Sequence, residues 1–245
     1  MTTFVLVHGA WGGSYGWRNF ANLLRVDGHE VYTPSLTGLG ERSHLGGPDV
    51  NLTTHVTDVE NVFRYEGLSD VVLVGHSYGG MVVTGLADRI PELLSHLIYS
   101  DAFLPRDGES CFDLGGAGGE ERARIEDGWK VLTMDRPVEN PTPEQLRQAS
   151  LRAPQPLGTL TQPVSLKTPL EERAFSRTYI KAMQPPRDPE RLQAFWAAAD
   201  RTSNDPRWSY YEMPTGHGTY REMPERFREI LYEVAGLTTV AAKRG

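Results

Sequence analysis

The stretch Val71-Val72-Leu73-Val74-Gly75-His76-Ser77-Tyr78-Gly79-Gly80-Met81 restricts what this chain can fold into more than any other. Its aliphatic start reads as a strand buried on both faces. The small residues that follow cannot continue the strand, and a helix is the natural continuation. A serine between strand and helix sits on a sharp turn, where side chains two residues before and after it would collide with neighbouring backbone. Gly75 and Gly79 stand at those two places. The turn pushes the Ser77 hydroxyl out at the carboxyl edge of a sheet, where open α/β folds bind ligands. The helix start beneath it favours developing negative charge.

The rest of the chain supplies such a sheet. Strands are expected near Thr3–His8, Glu30–Thr33, Asp70–Gly75, Ser95–Asp101, Ser176–Ala182 and Trp208–Met213. Between them, apolar residues recur at helical spacing: Trp17, Phe20 and Leu24; Val56, Val59 and Phe63; Leu192, Phe195, Trp196 and Ala199; Phe227, Ile230, Leu231 and Val234. The alternation predicts an α/β fold with a doubly wound, mostly parallel sheet of at least six strands. Pro105 to Ala174 breaks it with a glycine cluster, an expected helix over Glu120 to Val131 and a proline-rich run. The expected organisation is a core of 1–104 and 175–245 with a cap, or lid, insertion over 105–174.

Composition limits the partners. With 25 Lys+Arg against 32 Asp+Glu the net charge is −7, which repels phosphate backbones and anionic lipid. Neither nucleic acid nor a membrane surface is expected to bind; a homodimer is compatible with the sequence. The one cysteine, Cys111, cannot form an internal disulfide, and the simplest compartment is a reducing cytoplasm. The segment Met1 to Trp17 lacks the basic leader of a signal peptide, and the uncharged run Val71 to Ala87 is too short and polar to span a bilayer.

Two further elements belong at the same sheet edge. After the first strand comes His8-Gly9-Ala10-Trp11-Gly12-Gly13, a loop whose amides can face inward. The Ala10 amide beside that of Tyr78 would form an oxyanion hole for a tetrahedral intermediate. His217, in Pro214-Thr215-Gly216-His217-Gly218, follows the last strand and is placed to take the Ser77 proton. His8 reads as a structural hydrogen-bonder, His76 as turned away from Ser77, and His29, His44, His55 and His96 as surface residues. The substrate pocket is expected to be apolar and lined by Gly9, Trp11, Tyr15, Tyr78, Trp129 and Met134. There is no phosphate-binding loop ending in Lys-Ser/Thr, no His-Glu-x-x-His and no paired cysteine, so neither cofactor nor metal is expected.

In this order the pieces resemble the α/β-hydrolase superfamily over most of the chain. They are most similar to its small esterase and hydroxynitrile-lyase branch, which includes methylesterase-like proteins. The resemblance rests on Phe4 to Trp11 followed by Trp17, Gly28-His29-Glu30-Val31, Val71 to Gly80, Ala102-Phe103-Leu104-Pro105 and Gly216-His217. The branch's cyanohydrin-cleaving members carry threonine, glutamate and lysine where this chain has Gly9, His76 and Gly218. The resemblance therefore implies a serine carboxylester hydrolase acting on a small to medium hydrophobic ester or lactone through an acyl-enzyme. The alternative is a non-hydrolytic catalyst on the same scaffold, such as a polyketide-tailoring cyclase or a hydroxynitrile-lyase-like lyase. A binding module that has lost its chemistry is disfavoured by the presence of both Ser77 and His217. In most of the superfamily the triad acid follows the strand before the histidine's own. Here Ser176 to Ala182 runs into Met183-Gln184-Pro185-Pro186, and Asp188 comes late. Asp101, at the end of the strand beside that of Ser77, is the better placed acid, with Asp188 the alternative.

Overall fold

The computed structural model describes residues 1–115, 123–133, 140–184 and 193–237. The first half of the chain forms β1 (Thr3–Val7), α1 (Arg18–Val26), β2 (Glu30–Tyr32), α2 (Leu52–Glu66), β3 (Val71–His76), α3 (Gly79–Arg89) and β4 (Leu94–Ser100). Next come β5 (Ile125–Glu126), β6 (Lys130–Val131), α4 (Pro143–Ser150), β7 (Gln155–Pro156) and α5 (Gly158–Thr161). The last part holds β8 (Ser176–Ala182), α6 (Gln193–Ser203), β9 (Ser209–Met213), α7 (Thr219–Glu222) and α8 (Pro224–Val234). All six expected strands form. Helix ends follow local chemistry: Asn51 caps α2, its side chain accepting from Thr54 N while Thr54 Oγ1 accepts from Asn51 N, and Gly67 closes the helix at φ 65°.

The main sheet is parallel, in the order β2-β1-β3-β4-β8-β9. Both faces are covered, so the central strands β1 and β3 are nearly continuous apolar runs rather than alternating. Phe4, Leu6, Val72, Val74, Ile98 and Ile180 pack with Phe20, Leu24, Phe227 and Ile230 of α1 and α8. Val5, Val7, Leu73, Leu97, Tyr99 and Tyr179 pack on the other face with Val56, Val59, Met81, Val82 and Phe195 of α2, α3 and α6. The direction of winding reverses between β1 and β3, the place in an open sheet where a crevice forms beyond the carboxyl ends of the strands. The loop after β1 and the turn after β3 both end at that crevice. Among the described residues no helix is long and apolar enough to cross a membrane.

Residues between β4 and β8 build a separate three-stranded antiparallel sheet, β5-β6-β7. The helix expected over Glu120 to Val131 does not form in its described part. Residues 125–131 are a hairpin, and residues 120–122 lie outside the described residues. Its turn carries Asp127 at φ 52° and Gly128 at φ 73°, backbone that a helix cannot contain and that Asp-Gly favours. Trp11, with φ 59°, ties this segment to the loop after β1. Its amide donates to Gln155 Oε1 at 3.0 Å, its indole N–H to the Val131 carbonyl at 2.8 Å, and its carbonyl accepts from Ala153 N at 3.2 Å. At the other end, the buried Asp88 carboxylate on α3 accepts from the amides of Lys167 and Thr168 and pairs with Arg173.

Two histidines are buried as neutral links between loops. His8 donates through Nδ1 to the Gly9 carbonyl at 2.8 Å and accepts at Nε2 from Leu36 N at 3.2 Å. His55, expected at the surface, is fully buried; Nε2 donates to the Thr37 carbonyl at 2.8 Å and Nδ1 accepts from the Tyr78 hydroxyl at 2.9 Å. Its place three residues after Leu52 and four before Val59, on the apolar stripe of α2, explains why it faces inward.

Burial lowers both imidazoles from 6.5 to about 4. Their contribution to stability is therefore complete above pH 6.5 and is lost as pH falls towards 4, because the unfolded rings protonate first. By pH 5 the loss is about 2 kcal/mol per ring. Urea unfolding at pH 7 and pH 5 should show this as a lower midpoint at unchanged slope; equal midpoints would contradict it. Gly80 gives a second expectation. A β-carbon there would lie 2.0 Å from the Phe103 carbonyl oxygen, whereas one at Gly47 would meet nothing within 4 Å. Gly80→Ala should cost upward of about 3 kcal/mol, lowering Tm by roughly 6–12 °C for a chain of this size. Gly47→Ala should leave Tm nearly unchanged, and thermal unfolding of the two variants side by side checks both.

Candidate active site

Ser77 follows β3 with φ 55°, a left-handed backbone that a non-glycine residue adopts only when its surroundings enforce it. They do so here by close approach. A β-carbon at Gly75 would lie 2.8 Å from the Gly79 carbonyl oxygen, and one at Gly79 would lie 2.7 Å from that of Val7. The Ser77 carbonyl accepts from Gly80 N at 3.0 Å and Phe103 N at 3.1 Å, joining the turn to α3 and to the chain leaving β4. The loop after β1 touches the serine directly, since a β-carbon on Gly9 would be 2.9 Å from Ser77 Cβ. Ala10 and Tyr78 thus flank Ser77 in the chain segments that meet there. Among the described residues neither amide has a hydrogen-bond partner.

His217 lies beyond β9 on the same edge. Its Nδ1 donates to Asp101 Oδ2 at 2.7 Å. Asp101 is fully buried directly after β4, again on a left-handed backbone, φ 42°. Its other oxygen accepts from Lys181 Nζ at 2.7 Å and from Ala182 N at 3.3 Å, both at the end of β8. Burial pushes the carboxyl up, but His217 and Lys181 together more than offset this and hold it below the ordinary aspartate value. The imidazole of His217 stacks on Phe195 at 5.2 Å and 7° and lies 4.6 Å from the ring of His76. Phe195 in turn meets Phe103 edge-on at 4.7 Å, so the histidine faces apolar rings.

The histidine loop is held from three sides. His76 Nε2 donates to the His217 carbonyl at 2.8 Å; burial and then the His217 ring keep His76 well below its ordinary value, hence neutral. Gly216 N donates to Glu222 Oε2 at 2.9 Å, and Thr219 Oγ1 shares a 2.6 Å hydrogen bond with Ser100 Oγ, immediately before Asp101. Among the described residues no group of three or more His, Cys, Asp or Glu side chains is arranged to hold a metal ion.

The residues read from the sequence divide into three groups. Ser77, Gly9, Ala10 and the backbone of Tyr78 meet at the crevice, and Asp101 pairs with His217. Trp11 and Tyr15 reach from the same loop into the segment after β4, the Tyr15 hydroxyl donating to the Leu151 carbonyl at 3.3 Å. Of two other expected pocket residues, the Tyr78 ring is buried and bound to His55, and Trp129 lies against Gly46, where a β-carbon would be 3.1 Å from its ring. Asp188 and Met134 lie outside the described residues. Sequence reasoning missed Lys181 and Phe195 as neighbours of the site. A lysine inside a strand covered on both faces was the available signal for the first.

Comparison with known proteins agrees with this geometry. Residues 4–230 match the alpha/beta hydrolase family. A carbendazim hydrolyzing esterase of Nocardioides sp. (strain SG-4G) is 38% identical over 244 residues, covering 94% of this chain and 98% of that protein. A pyrethroid hydrolase of Sphingobium wenxiniae is 29% identical over 263 residues, with 96% and 88% covered. Among solved structures, an extracellular α/β-hydrolase from a Paenibacillus species, described as sharing structural and functional homology with tobacco salicylic acid binding protein 2, superposes with a TM-score of 0.76. It is 24% identical over 96% of this chain and 99% of that one. The parallel sheet, the serine on its strand-to-helix turn and these relatives place the chain in the α/β-hydrolase family, as an ester hydrolase.

Proposed function

We propose that the chain hydrolyses a small to medium hydrophobic carboxylic ester or lactone by way of an acyl-enzyme on Ser77, with His217 as base and Asp101 as the orienting acid. The observation that carries the reading is the 2.7 Å hydrogen bond from His217 Nδ1 to a fully buried Asp101. It leaves Nε2 as the basic nitrogen. In the first half-reaction Ser77 Oγ attacks the ester carbonyl carbon and its proton passes to His217 Nε2. The oxyanion is received by the amides of Ala10 and Tyr78, and Asp101 stabilises the imidazolium. The intermediate collapses, His217 returns the proton to the departing alcohol, and the acyl group stays on Ser77. Water, deprotonated by His217, then attacks the acyl carbon, releasing the acid and restoring the serine. No cofactor enters these steps.

Apolar surroundings support a hydrophobic substrate: Phe195 stacks on His217 with Phe103 edge-on behind it, and Trp11, in the loop after β1, bonds to Val131, Ala153 and Gln155 of the segment 105–174. That segment acts as a cap in this reading. It is anchored at Trp11 on one side and at Asp88 on the other. The non-hydrolytic alternative is not favoured, since two relatives that span nearly the whole chain are named for ester and pyrethroid hydrolysis.

Ser77→Ala should reduce p-nitrophenyl butyrate turnover by more than about 10⁴-fold, and a fluorophosphonate should label the Ser77 peptide of the wild-type protein. Retention of most of the initial rate by the variant would remove Ser77 from the reaction. Asp101→Asn should lower kcat on the order of 10⁴-fold by losing the tautomer of His217, while Asp188→Asn stays within a few-fold of wild type. The reverse pattern, measured on folded protein, assigns the acid to Asp188.

A further inference from the structure

Lys181 carries a charge inside the protein that the steps above do not use. Its side chain is 1% exposed, yet it sits in a strand whose faces are both covered. The ammonium stands 2.7 Å from Asp101 Oδ1, donates to the Ala182 carbonyl at 2.8 Å and lies 4.4 Å from the centre of the Trp196 ring on α6. The carboxylate is therefore divided: one oxygen for the ammonium, the other for His217. The remaining titratable groups around the pair among the described residues are few. Tyr179 turns its hydroxyl to the carbonyls of Ala102 and Phe195. Tyr210 and Glu212 on β9 bond to each other at 3.3 Å, Glu212 being exposed and the register partner of Lys181. His76 on β3 is neutral and bound to the His217 carbonyl.

We propose that Lys181 is a positioning residue of the hydrolysis, fixing the Asp101 carboxylate so that only Oδ2 meets His217 and offsetting the carboxylate's charge beside the imidazole. The inference rests on the triad reading given above. Its physical content is a three-body arrangement. A buried carboxylate facing an imidazole with no counter-ion favours the imidazolium before substrate is attacked, which removes the base. With the ammonium on its other oxygen, the carboxylate favours the imidazolium less strongly, and the ring accepts a proton chiefly when Ser77 gives one up. The ammonium also blocks rotation of the carboxylate, because turning it would break the hydrogen bonds from Lys181 and Ala182. Asp101 stays ionised throughout, in keeping with its lowered carboxyl.

The test is the pH profile of kcat/KM for p-nitrophenyl butyrate in wild type, Lys181→Gln and Lys181→Met. Glutamine can still donate to Asp101 but carries no charge; methionine does neither. In both variants the acid limb should move to higher pH, by on the order of one pH unit. In Lys181→Met kcat should also fall about tenfold with KM little changed, because orientation is lost as well. Asp101→Asn provides the background that separates positioning from folding. There Lys181 has no carboxylate to hold in place, so Asp101→Asn and Asp101→Asn/Lys181→Met should have the same kcat. Where Lys181→Met does not fold, Lys181→Gln, which keeps a donor on Asp101, carries the test through its acid limb. An acid limb unmoved in the single variants, or a double variant whose kcat differs from that of Asp101→Asn, overturns the inference and leaves Lys181 as a buried counter-ion of the fold. Failure of the triad reading is recognised separately, by a fluorophosphonate that does not label Ser77.

Discussion

The carbonyl of Phe103 crosses the backbone of Gly80 so closely that no β-carbon fits between them. The candidate site follows from that crossing and the others stacked beside it, Gly79 under Val7 and Gly75 against Gly79. These contacts press the ends of β1, β3 and β4 and the start of α3 into one block without side chains between them. Ser77 is held on a left-handed backbone within the block, at a cost of order 1–3 kcal/mol that the surrounding packing offsets. The backbone of the serine is therefore fixed by neighbours from three separate stretches of chain, and does not depend on any single side chain.

Electrostatics takes over at the far side of the crevice. Asp101 and Lys181 are both buried, and burying two charges is unfavourable unless geometry and hydrogen bonds are good. Here Asp101 accepts three hydrogen bonds, from His217, Lys181 and Ala182, and the ammonium has the Ala182 carbonyl and the Trp196 face besides. The pair occupies the ends of two adjacent parallel strands, β4 and β8, where the register sets Ser100 beside Ile180. A carboxylate at the β4 end lies one strand nearer to Ser77 than one beyond β8, and the histidine loop bends across to meet it. That bend is stabilised by Thr219 on Ser100 and by His76 on the His217 carbonyl.

What was legible in the sequence was what local chemistry decides. The glycine spacing around Ser77 announced itself, because backbone sterics act over a few residues, and the central strands β1 and β3 stand out because burial on both faces makes continuous apolar runs. The place of His217 after the last strand puts it on the sheet edge that carries Ser77. The Asp101 pairing required knowing which strand lies beside β3, and chain order supplied that. Lys181 was hidden because a lysine in a strand carries no label for its partner, 80 residues away in the chain. The hairpin at 125–131 was mistaken for a helix because charged and apolar residues in Glu120 to Val131 mimic helical spacing, although Asp127-Gly128 marks a turn. His55 was misplaced because one polar residue in an amphipathic helix reads as solvent-facing until its partner, the Tyr78 hydroxyl, is known.

Trp11 has a consequence for how such a protein can change. Its amide, carbonyl and indole are all committed to Gln155, Ala153 and Val131, while the residue before it, Ala10, lies in the loop that meets Ser77. The antiparallel sheet and the loop after β1 are thus one mechanical unit rather than a scaffold and an attachment. Lengthening, shortening or exchanging the segment changes the partners that hold Trp11, and the strain is passed one peptide along to Ala10. A graft that seeks a new acyl preference must therefore bring its own partners for the tryptophan, or it will alter rate together with selectivity.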